Sequence, residues 1–336
     1  MSTLPTESPD SIAQQVYNPF GTVPTTYGRC LLCGTDLTLS PTEEHVFAKW
    51  LQHEFGLWDK GVVLLNGTSI PYRGLVVPCC KACNTTHLSK LENAIYGAFR
   101  IGPDAFMALD ERVLFPWVAK MFFGLLYKEL SLPLDRSVPS KGTVVTDDLM
   151  KAYGAFHQLL QSARIPTEFS AEKPWSLFLT RVHHREGDEF YFHDDVDQTC
   201  FMIRMGRVGV IASLYDNGAT GQFWQDLYQK TRGVTLEPIQ FDEFAAMVFY
   251  SRRLLNRTPK TITIWHDSET TRPQVLSLPY LGFSAKPIFD EWSPRNYATV
   301  LLSFMSKWGF RLSDLYIPPN QVLSWIYGPN DAVRFR

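Results

Sequence analysis

The chain has 336 residues, of which 45% are hydrophobic and 20% charged, a composition that excludes a disordered chain and is typical of a folded globular protein. Because single hydrophobic cores rarely grow beyond about 250 to 300 residues, this length predicts two domains. The formal net charge of −2 excludes an overall basic footprint for nucleic acid, although a local basic groove is compatible with it.

The N-terminal segment, which begins MSTLPTESPDSIAQQ, is rich in Ser, Thr and Pro and shows little apolar periodicity. This pattern predicts a mobile tail over residues 1–25. The segment lacks the basic and apolar regions of a secretory signal peptide. No stretch of the chain approaches the roughly 18 to 20 consecutive apolar residues of a membrane span. We therefore expect a cytoplasmic protein that has no membrane partner.

Residues 26–100 form the first predicted module. Short apolar runs at residues 62–65 and 75–77 alternate with turn residues, which is typical of a hairpin. A stretch with helical periodicity, LSKLENAIYGAF, follows them. We therefore predict that this module contains a hairpin followed by a helix.

Residues 101–336 are predicted to form a larger α+β domain. The run VLFPWVAKMFFGLLYKEL is apolar all round a helix, which indicates a buried helix with Pro116 at a first turn or a kink. The Pro/Ser/Gly-containing stretch at residues 134–145 suits a linker, so a further boundary is predicted there. Four β-like runs, SLFLTRV, EFYFH, TCFMIRM and VGVIASLY, have the spacing of a meander and predict an antiparallel sheet. Further helices are predicted near residues 146–164, 240–256 and 294–307, with the β-like pair TITIWH and QVLSLPY between the last two.

Two cysteine pairs, Cys30-x2-Cys33 and Cys80-x2-Cys83, lie about fifty residues apart. In a reducing compartment such pairs indicate metal ligands before disulfides. Four thiolates in two knuckles satisfy tetrahedral zinc, so we predict a structural zinc ion at these four residues. Cys79 could replace Cys80 through a Cys-x3-Cys spacing, but the tighter CxxC knuckle favours Cys80.

Acidic and imidazole residues lie between the cysteine pairs and after them. Glu43, Glu44 and His45 precede a short apolar run, and the second pair is followed directly by Asn84-Thr-Thr-His87. The order CxxC, acidic residue plus His, then CxxCN at the start of a helix resembles the HNH nucleases of the ββα-metal fold. The resemblance covers about residues 27–95 and implies a treble-clef-like module braced by zinc.

The resemblance implies roles for four residues. His45 would be the general base that takes a proton from the attacking water, and the ordinary histidine pKa of about 6.5 suits that role. Glu44 and Asn84 would hold a catalytic Mg²⁺ or Mn²⁺ ion through oxygen atoms. His87 lies at i+3 from Asn84, on the same predicted helical face, so it could be a third ligand of this ion or a phosphate contact. The middle Asn of the family motif is missing, since the corresponding segment of this sequence is Arg73-Gly-Leu-Val-Val-Pro78.

These features predict a metal-dependent endonuclease that hydrolyses phosphodiester bonds of DNA in preference to RNA. The C-terminal residues match no motif, and we expect them to regulate, to recognise or to dimerise. Such appended domains look like those of HNH nucleases in prokaryotic defence against phages and plasmids. The near-neutral charge suits a nuclease that a protein activator or a homo-oligomer completes. The alternative hypothesis is a zinc-stabilised module that binds nucleic acid or protein and performs no chemistry.

Overall fold

A computed structural model describes residues 18–21, 23–40, 42–264, 272–280, 286–328 and 333–334. Residues 1–17 of the predicted tail lie outside the described residues. The described end of that segment is packed: the Phe20 ring lies 5.0 Å from the His157 ring, and the Thr25 backbone N–H donates to Asp147 at 2.6 Å. The predicted mobile tail therefore does not extend to residue 25, because side chains distant in sequence hold this segment.

The helices of the described residues confirm the helical stretches expected from the sequence, although the one near residues 146–164 is broken into two. In chain order they are α1 (Lys49–Glu54), a π-helical turn (Cys83–Leu88), α2 (Ser89–Ile101), α3 (Pro103–Met107), α4 (Glu111–Glu129), α5 (Asp147–Ala152), α6 (Gly154–Leu160), α7 (Ala219–Phe223), α8 (Gln225–Thr231), α9 (Pro238–Leu254), α10 (Pro294–Met305) and α11 (Leu312–Leu315). Short 3₁₀ turns lie at Tyr72–Gly74, Pro139–Lys141, Gln161–Ala163 and Ser306–Trp308.

The strands before residue 170 have two or three residues each, whereas β6 to β9 have six or seven. In chain order they are β1 (Glu43–His45), β2 (Gly61–Val63), β3 (Ser69–Pro71), β4 (Val76–Pro78), β5 (Glu168–Phe169), β6 (Ser176–Val182), β7 (Phe190–Asp195), β8 (Cys200–Met205), β9 (Val208–Ser213), β10 (Thr235–Leu236), β11 (Thr261–Ile264), β12 (Gln274–Ser277), β13 (Tyr316–Ile317) and β14 (Gln321–Val322). The fold is mixed α+β with antiparallel sheets, as the sequence predicts. In the part of the chain that the structure describes, no helix combines the length and apolar character needed to cross a membrane.

The chain divides into two compact units. The cysteine unit comprises Met1–Arg100, Leu109–Phe169 and Thr263–Val275, and the sheet unit comprises Ile101–Ala108, Ser170–Ile262 and Leu276–Arg336. This division differs from the predicted one at residue 100, since residues 109–169 belong with the cysteines. The predicted boundary at residues 134–145 lies inside the cysteine unit, where a bridge between Pro133 and Thr143 closes a loop.

Helix α4 forms the core of the cysteine unit. Its residues 114–127 are all buried, which explains why the sequence is apolar on every side of this helix. Pro116 lies inside α4, not at its first position. Gly124 allows a close approach, because a Cβ at this position would lie 3.0 Å from the Val46 side chain. The helix is therefore fixed against the end of β1.

Five strands in the order β10-β6-β9-β8-β7 form the main sheet of the sheet unit. Strands β7, β8 and β9 follow one another as antiparallel neighbours, whereas β6 pairs antiparallel with β9 and β10 is parallel to β6. The antiparallel sheet is confirmed, but the simple meander order is wrong at β6. The residues of β8 and β9 are all buried and those of β7 are only half-buried. The strand order places β9 at the centre and β7 at the edge, and the half-burial of β7 agrees with its edge position.

A buried carboxyl group joins α9 to the C-terminal segment of the sheet unit. Glu243 of α9 is 0% exposed and accepts hydrogen bonds from the backbone N–H groups of Trp325 at 2.7 Å and Ile326 at 2.9 Å. It also accepts one from the Ser324 hydroxyl. Burial outweighs these bonds and raises the pKa of Glu243 to about 7. The carboxyl therefore stabilises the fold best when it is protonated.

Replacing Glu243 by Gln should remove a pH-dependent part of the stability. The raised pKa of Glu243 in the folded chain means that its contribution is complete below the unfolded value and is lost as the pH rises through about 7. Gln keeps the contacts, since its amide oxygen accepts from the backbone and its NH₂ donates to Ser324. Denaturant unfolding measured at about pH 5 and about pH 8 should show a parent that loses more stability than the variant, by about 2 to 3 kcal/mol. Equal losses in both proteins would contradict the raised pKa.

Candidate functional site

The first cysteine pair lies in a tight backbone turn. The Gly34 N–H donates to the Cys30 carbonyl at 2.9 Å, and the Cys30 N–H donates to the Thr35 carbonyl at 2.8 Å. Gly34 has a φ of 71°, a left-handed conformation that glycine adopts without steric cost. The sequence Cys-Leu-Leu-Cys-Gly therefore forms a knuckle closed by its glycine.

The second pair lies where β4 ends and the helix begins. The Asn84 N–H donates to the Cys80 carbonyl at 2.9 Å, as in the first turn of a helix. The backbone N–H of buried Cys83 lies 3.4 Å from the Cys80 sulfur. The Leu31 N–H in the first knuckle donates to the Pro78 carbonyl at 2.9 Å. This last bond joins the two knuckles.

The thiols of the two knuckles form one group. The sulfur atoms of Cys30, Cys33, Cys80 and Cys83 all lie within 4.8 Å of one another, and those of Cys33 and Cys80 are 3.6 Å apart. Zinc with four thiolates at about 2.3 Å requires sulfur atoms at similar separations. The group could therefore hold a metal ion such as zinc. Cys79 lies outside the group, and its buried thiol donates to the Cys80 carbonyl at 3.7 Å.

The thiols influence one another's ionisation. Hydrogen bonds from neighbouring thiols lower the pKa of the Cys30 thiol, and the same contacts raise the pKa of the Cys83 thiol. Several thiolates this close together repel one another, and a bound divalent cation offsets that repulsion. The donor set therefore suits a cation that prefers sulfur ligands.

Two buried polar side chains support the first knuckle, and the sequence analysis missed both. The His157 ring lies 2.9 Å from the Leu31 carbonyl through Nε2, and the Gln161 amide donates to the Leu32 carbonyl at 2.9 Å. Burial lowers the pKa of His157 to about 4, so the neutral ring donates through its Nε2–H group. The sequence feature that could have revealed them is their i, i+4 spacing, which places His157 and Gln161 on one face of a predicted helix.

Strand β1 places two predicted site residues in different surroundings. It pairs antiparallel with β4, with Glu44 opposite Val77 and His45 opposite Val76. Glu44 is 9% exposed, whereas His45 is half-buried. The alternation of side chains along a strand explains the difference between these neighbours.

The Glu44 carboxylate is bound by a buried lysine. Lys120 of α4 is 1% exposed, and its Nζ atom lies 3.0 Å from a Glu44 oxygen and 2.8 Å from a Glu92 oxygen. It also donates to the His45 carbonyl at 3.1 Å. Burial by itself would lower the pKa of Lys120, but the carboxylates of Glu92 and Glu44 outweigh burial and raise this pKa. Lys120 therefore stays charged between two anions.

The His45 ring is stacked but not hydrogen-bonded. Its centroid lies 6.1 Å from that of Trp58, with 24° between the ring planes, and its nitrogen atoms make no hydrogen bond with any described residue. Burial, together with Lys49 and Lys120, lowers the pKa of His45 to about 4. The ring is therefore neutral at physiological pH, with a nitrogen able to accept a proton, and it is a weaker base than the ordinary histidine pKa of about 6.5 implies.

Asn84 and His87 lie on the helical turn that follows the second knuckle. The Asn84 side-chain NH₂ group donates to the Glu43 carbonyl at 2.9 Å, which joins this turn to β1. The Asn84 Oδ1 atom takes no part in this bond. The turn is π-helical, since the Ser89 N–H bonds the Asn84 carbonyl five residues earlier. The wider turn moves His87 round the axis relative to an α-helical i+3 position, and such turns are frequent at functional sites.

The described residues include no acidic cluster for a catalytic Mg²⁺ or Mn²⁺ ion. Among the described residues, the four cysteines are the only cluster of three or more His, Cys, Asp and Glu side chains that could share a metal ion. The Glu44 carboxylate is paired with Lys120, although proteins usually hold Mg²⁺ through one or two carboxylates. Asn84 and His87 keep donor atoms available, and their ligation of such an ion stays a prediction.

Comparisons with known proteins give no family for this chain. No known protein family matches the sequence, and no curated protein and no solved structure matches the chain. The resemblance to HNH nucleases therefore depends on the motif and its spacing alone.

Replacing Cys80 by Ser should remove bound zinc, whereas replacing Cys79 by Ser should not. Only Cys80 brings its sulfur within 4.8 Å of the other three thiols. Elemental analysis of the purified proteins should find one zinc ion per chain in the parent and in the Cys79→Ser variant, and little in the Cys80→Ser variant. The opposite pattern would reverse the ligand assignment, and a parent without metal would refute the site.

Replacing Lys120 by Met should destabilise the cysteine unit by about 3 to 5 kcal/mol, because it leaves two buried carboxylates without a counter-charge. Denaturant unfolding gives the free energy of unfolding for comparison. The control is Lys151→Met, which removes ion pairs of a side chain that is 61% exposed and should cost less than about 1 kcal/mol. Equal effects of the two substitutions would contradict the role given to Lys120.

Proposed function

We propose that the chain is an HNH-type endonuclease that hydrolyses phosphodiester bonds, those of DNA in preference to RNA. The observation that carries the proposal is the His45 imidazole, half-buried at the end of β1 and without a hydrogen bond to any described residue. Buried structural polar groups are normally hydrogen-bonded, as the His157 ring is. A positioned imidazole with an unpaired nitrogen is what a general base requires.

In the proposed reaction, His45 accepts a proton from the water molecule that attacks phosphorus. The new P–O bond forms as the bond to the leaving oxygen breaks. A divalent ion, Mg²⁺ or Mn²⁺, would supply stabilisation of the negative charge, and Asn84 and His87 are the side chains that could hold it. No step is assigned to Glu44, because Lys120 pairs with its carboxylate.

The zinc ion is proposed to have a structural role. The four thiolates that would hold it come from the knuckle before β1 and from the start of the helix after β4. A fully coordinated zinc ion has no open position for substrate and mainly stabilises the fold. In this chain it would fix the helical turn of Asn84 relative to the strand of His45, which is the geometric requirement of positional catalysis.

The sheet unit is proposed to control this activity. Among its described residues, no cluster of metal-binding side chains is found, so the proposed chemistry belongs to the cysteine unit. The net charge of −2 suits a nuclease that binds nucleic acid weakly until a protein activator or a second copy of the chain adds phosphate contacts. A setting in prokaryotic defence, within the cytoplasm, belongs to the same proposal and comes from the resemblance.

One observation favours a second candidate, a zinc-stabilised module that binds nucleic acid or protein without chemistry. The carboxylate that should hold the catalytic ion is instead part of a buried ion pair, 3.0 Å from Lys120. A binding module needs that ion pair for stability and needs no catalytic ion. The two candidates differ in whether His45 is required for bond cleavage.

Replacing His45 by Ala should abolish cleavage of DNA without unfolding the protein. The expected loss is at least about 100-fold in rate, the usual contribution of a general base. Plasmid and single-stranded substrates, each with Mg²⁺ or Mn²⁺, are incubated with the parent and the variant, and products are followed by electrophoresis. Zinc content and circular dichroism show whether both proteins are folded.

The matched control is His184→Ala, which removes an exposed histidine of the sheet unit and should cut as the parent does. Cleavage by the His45→Ala variant at the parental rate would reject the catalytic assignment. Binding of nucleic acid by a parent that never cuts, with either metal, would favour the binding module.

A further inference from the structure

A short series of aromatic rings begins at His45 and extends to the surface. The Trp58 indole lies 6.1 Å from His45 and 4.8 Å from His53, measured between ring centroids, and its plane is within 24° and 16° of theirs. His53 is exposed and Trp58 is half-buried. Stacked rings therefore lead from the proposed general base to solvent.

The exposed end of this series is open to a ligand. His53 and Lys49 lie one turn apart on the exposed side of α1, whose buried residues are Leu51 and Gln52. The Trp58 indole N–H makes no hydrogen bond with any described residue. His53 and Trp58 thus offer exposed aromatic surface together with an indole N–H that is not hydrogen-bonded to any described residue.

Basic side chains accompany the rings. Lys49 is exposed and close enough to affect the ionisation of His45, and exposed Lys60 follows Trp58 by two residues. Neither lysine has an ion pair within the described residues, whereas nearby Arg73 is paired with Asp59. Two uncompensated ammonium groups beside stacked rings are suited to phosphates and bases together.

We propose that Trp58 and His53 form a stacking platform for an unpaired nucleobase, with Lys49 and Lys60 at the backbone, so that the substrate of the His45 site is single-stranded nucleic acid. The proposal rests on the proposed function, since it names the substrate of the same site. Bases inside a duplex are stacked on one another and present only their edges in the grooves. A ring platform can engage a base only after it leaves that stack.

Fluorescence anisotropy tests the platform with a fluorescein-labelled 20-nucleotide single strand and with its duplex. Mg²⁺ and Mn²⁺ are left out, so that binding is measured without cleavage. The parent should bind the single strand at least about 10-fold more tightly than the duplex. Trp58→Leu should weaken single-strand binding by about 5- to 150-fold, the effect of losing one stacked base. Trp58→Phe keeps an aromatic face and should retain most of the affinity.

Two further variants keep the test decisive. His53→Ala alters an exposed side chain that the fold does not need and should weaken single-strand binding even if Trp58→Leu is poorly folded. Phe223→Leu removes an aromatic ring that is 44% exposed in the sheet unit and should leave binding unchanged. Both proteins must retain zinc for the comparison.

Equal affinity of the parent for single strand and duplex would overturn the platform, as would parental affinity in both folded Trp58→Leu and His53→Ala. Single-strand binding that depends on Trp58, in a protein whose cleavage does not depend on His45, would reject the proposed His45 nuclease and support the platform. Loss of cleavage in His45→Ala, with unchanged single-strand binding in the Trp58 and His53 variants, would support the nuclease and reject the platform.

Discussion

The buried ammonium group of Lys120 holds together three segments that are far apart in the sequence. It lies on α4 and contacts Glu44 of β1 and Glu92 of α2 at 3.0 and 2.8 Å. Ions removed from water lose much hydration energy, and the ammonium group offsets this loss by pairing with both carboxylates. Lys120 also donates to the His45 carbonyl, and Gly124, one turn later on α4, lets Val46 approach the helix closely. The position of the strand that carries His45 therefore depends on α4.

The same strand is restrained from its other side by the cysteines. Strand β4, its partner, leads directly into the second knuckle, and the Leu31 N–H of the first knuckle bonds the last residue of β4. The Asn84 amide adds a bond to the Glu43 carbonyl. The backbone around His45 is thus held by the cysteine knuckles and by an ion pair, while the imidazole nitrogens have no partner among the described residues. A fixed backbone with an unengaged side chain is the arrangement expected of a functional group.

Local spacing was enough to predict the cysteine cluster, α2, α4 and four of the five strands of the main sheet, β6 to β9, because each depends on residues a few positions apart. The pairing of β6 with β9 and the inclusion of residues 109–169 in the cysteine unit depend on contacts across long sequence separations, which spacing does not encode. Lys120 was the informative residue that the sequence analysis passed over. A single charge inside a helix that is apolar on all sides must have a buried partner. Glu44 was not considered as that partner because it was predicted to hold the catalytic ion. The same pairing explains why the predicted metal ligand is engaged elsewhere.

The order in which the segments of the cysteine unit occur along the chain has a consequence for its biosynthesis. Strand β5 pairs in parallel with β12 through Glu168 opposite Gln274 and Phe169 opposite Val275, and these residues of both strands belong to the cysteine unit. More than ninety residues of the sheet unit, Ser170–Ile262, lie between them. A ribosome adds about 5 to 20 residues per second, so the cysteine cluster and α4 leave the ribosome several seconds before β12 does. The four cysteines of a nascent chain are therefore available to a metal ion before β5 can pair with β12.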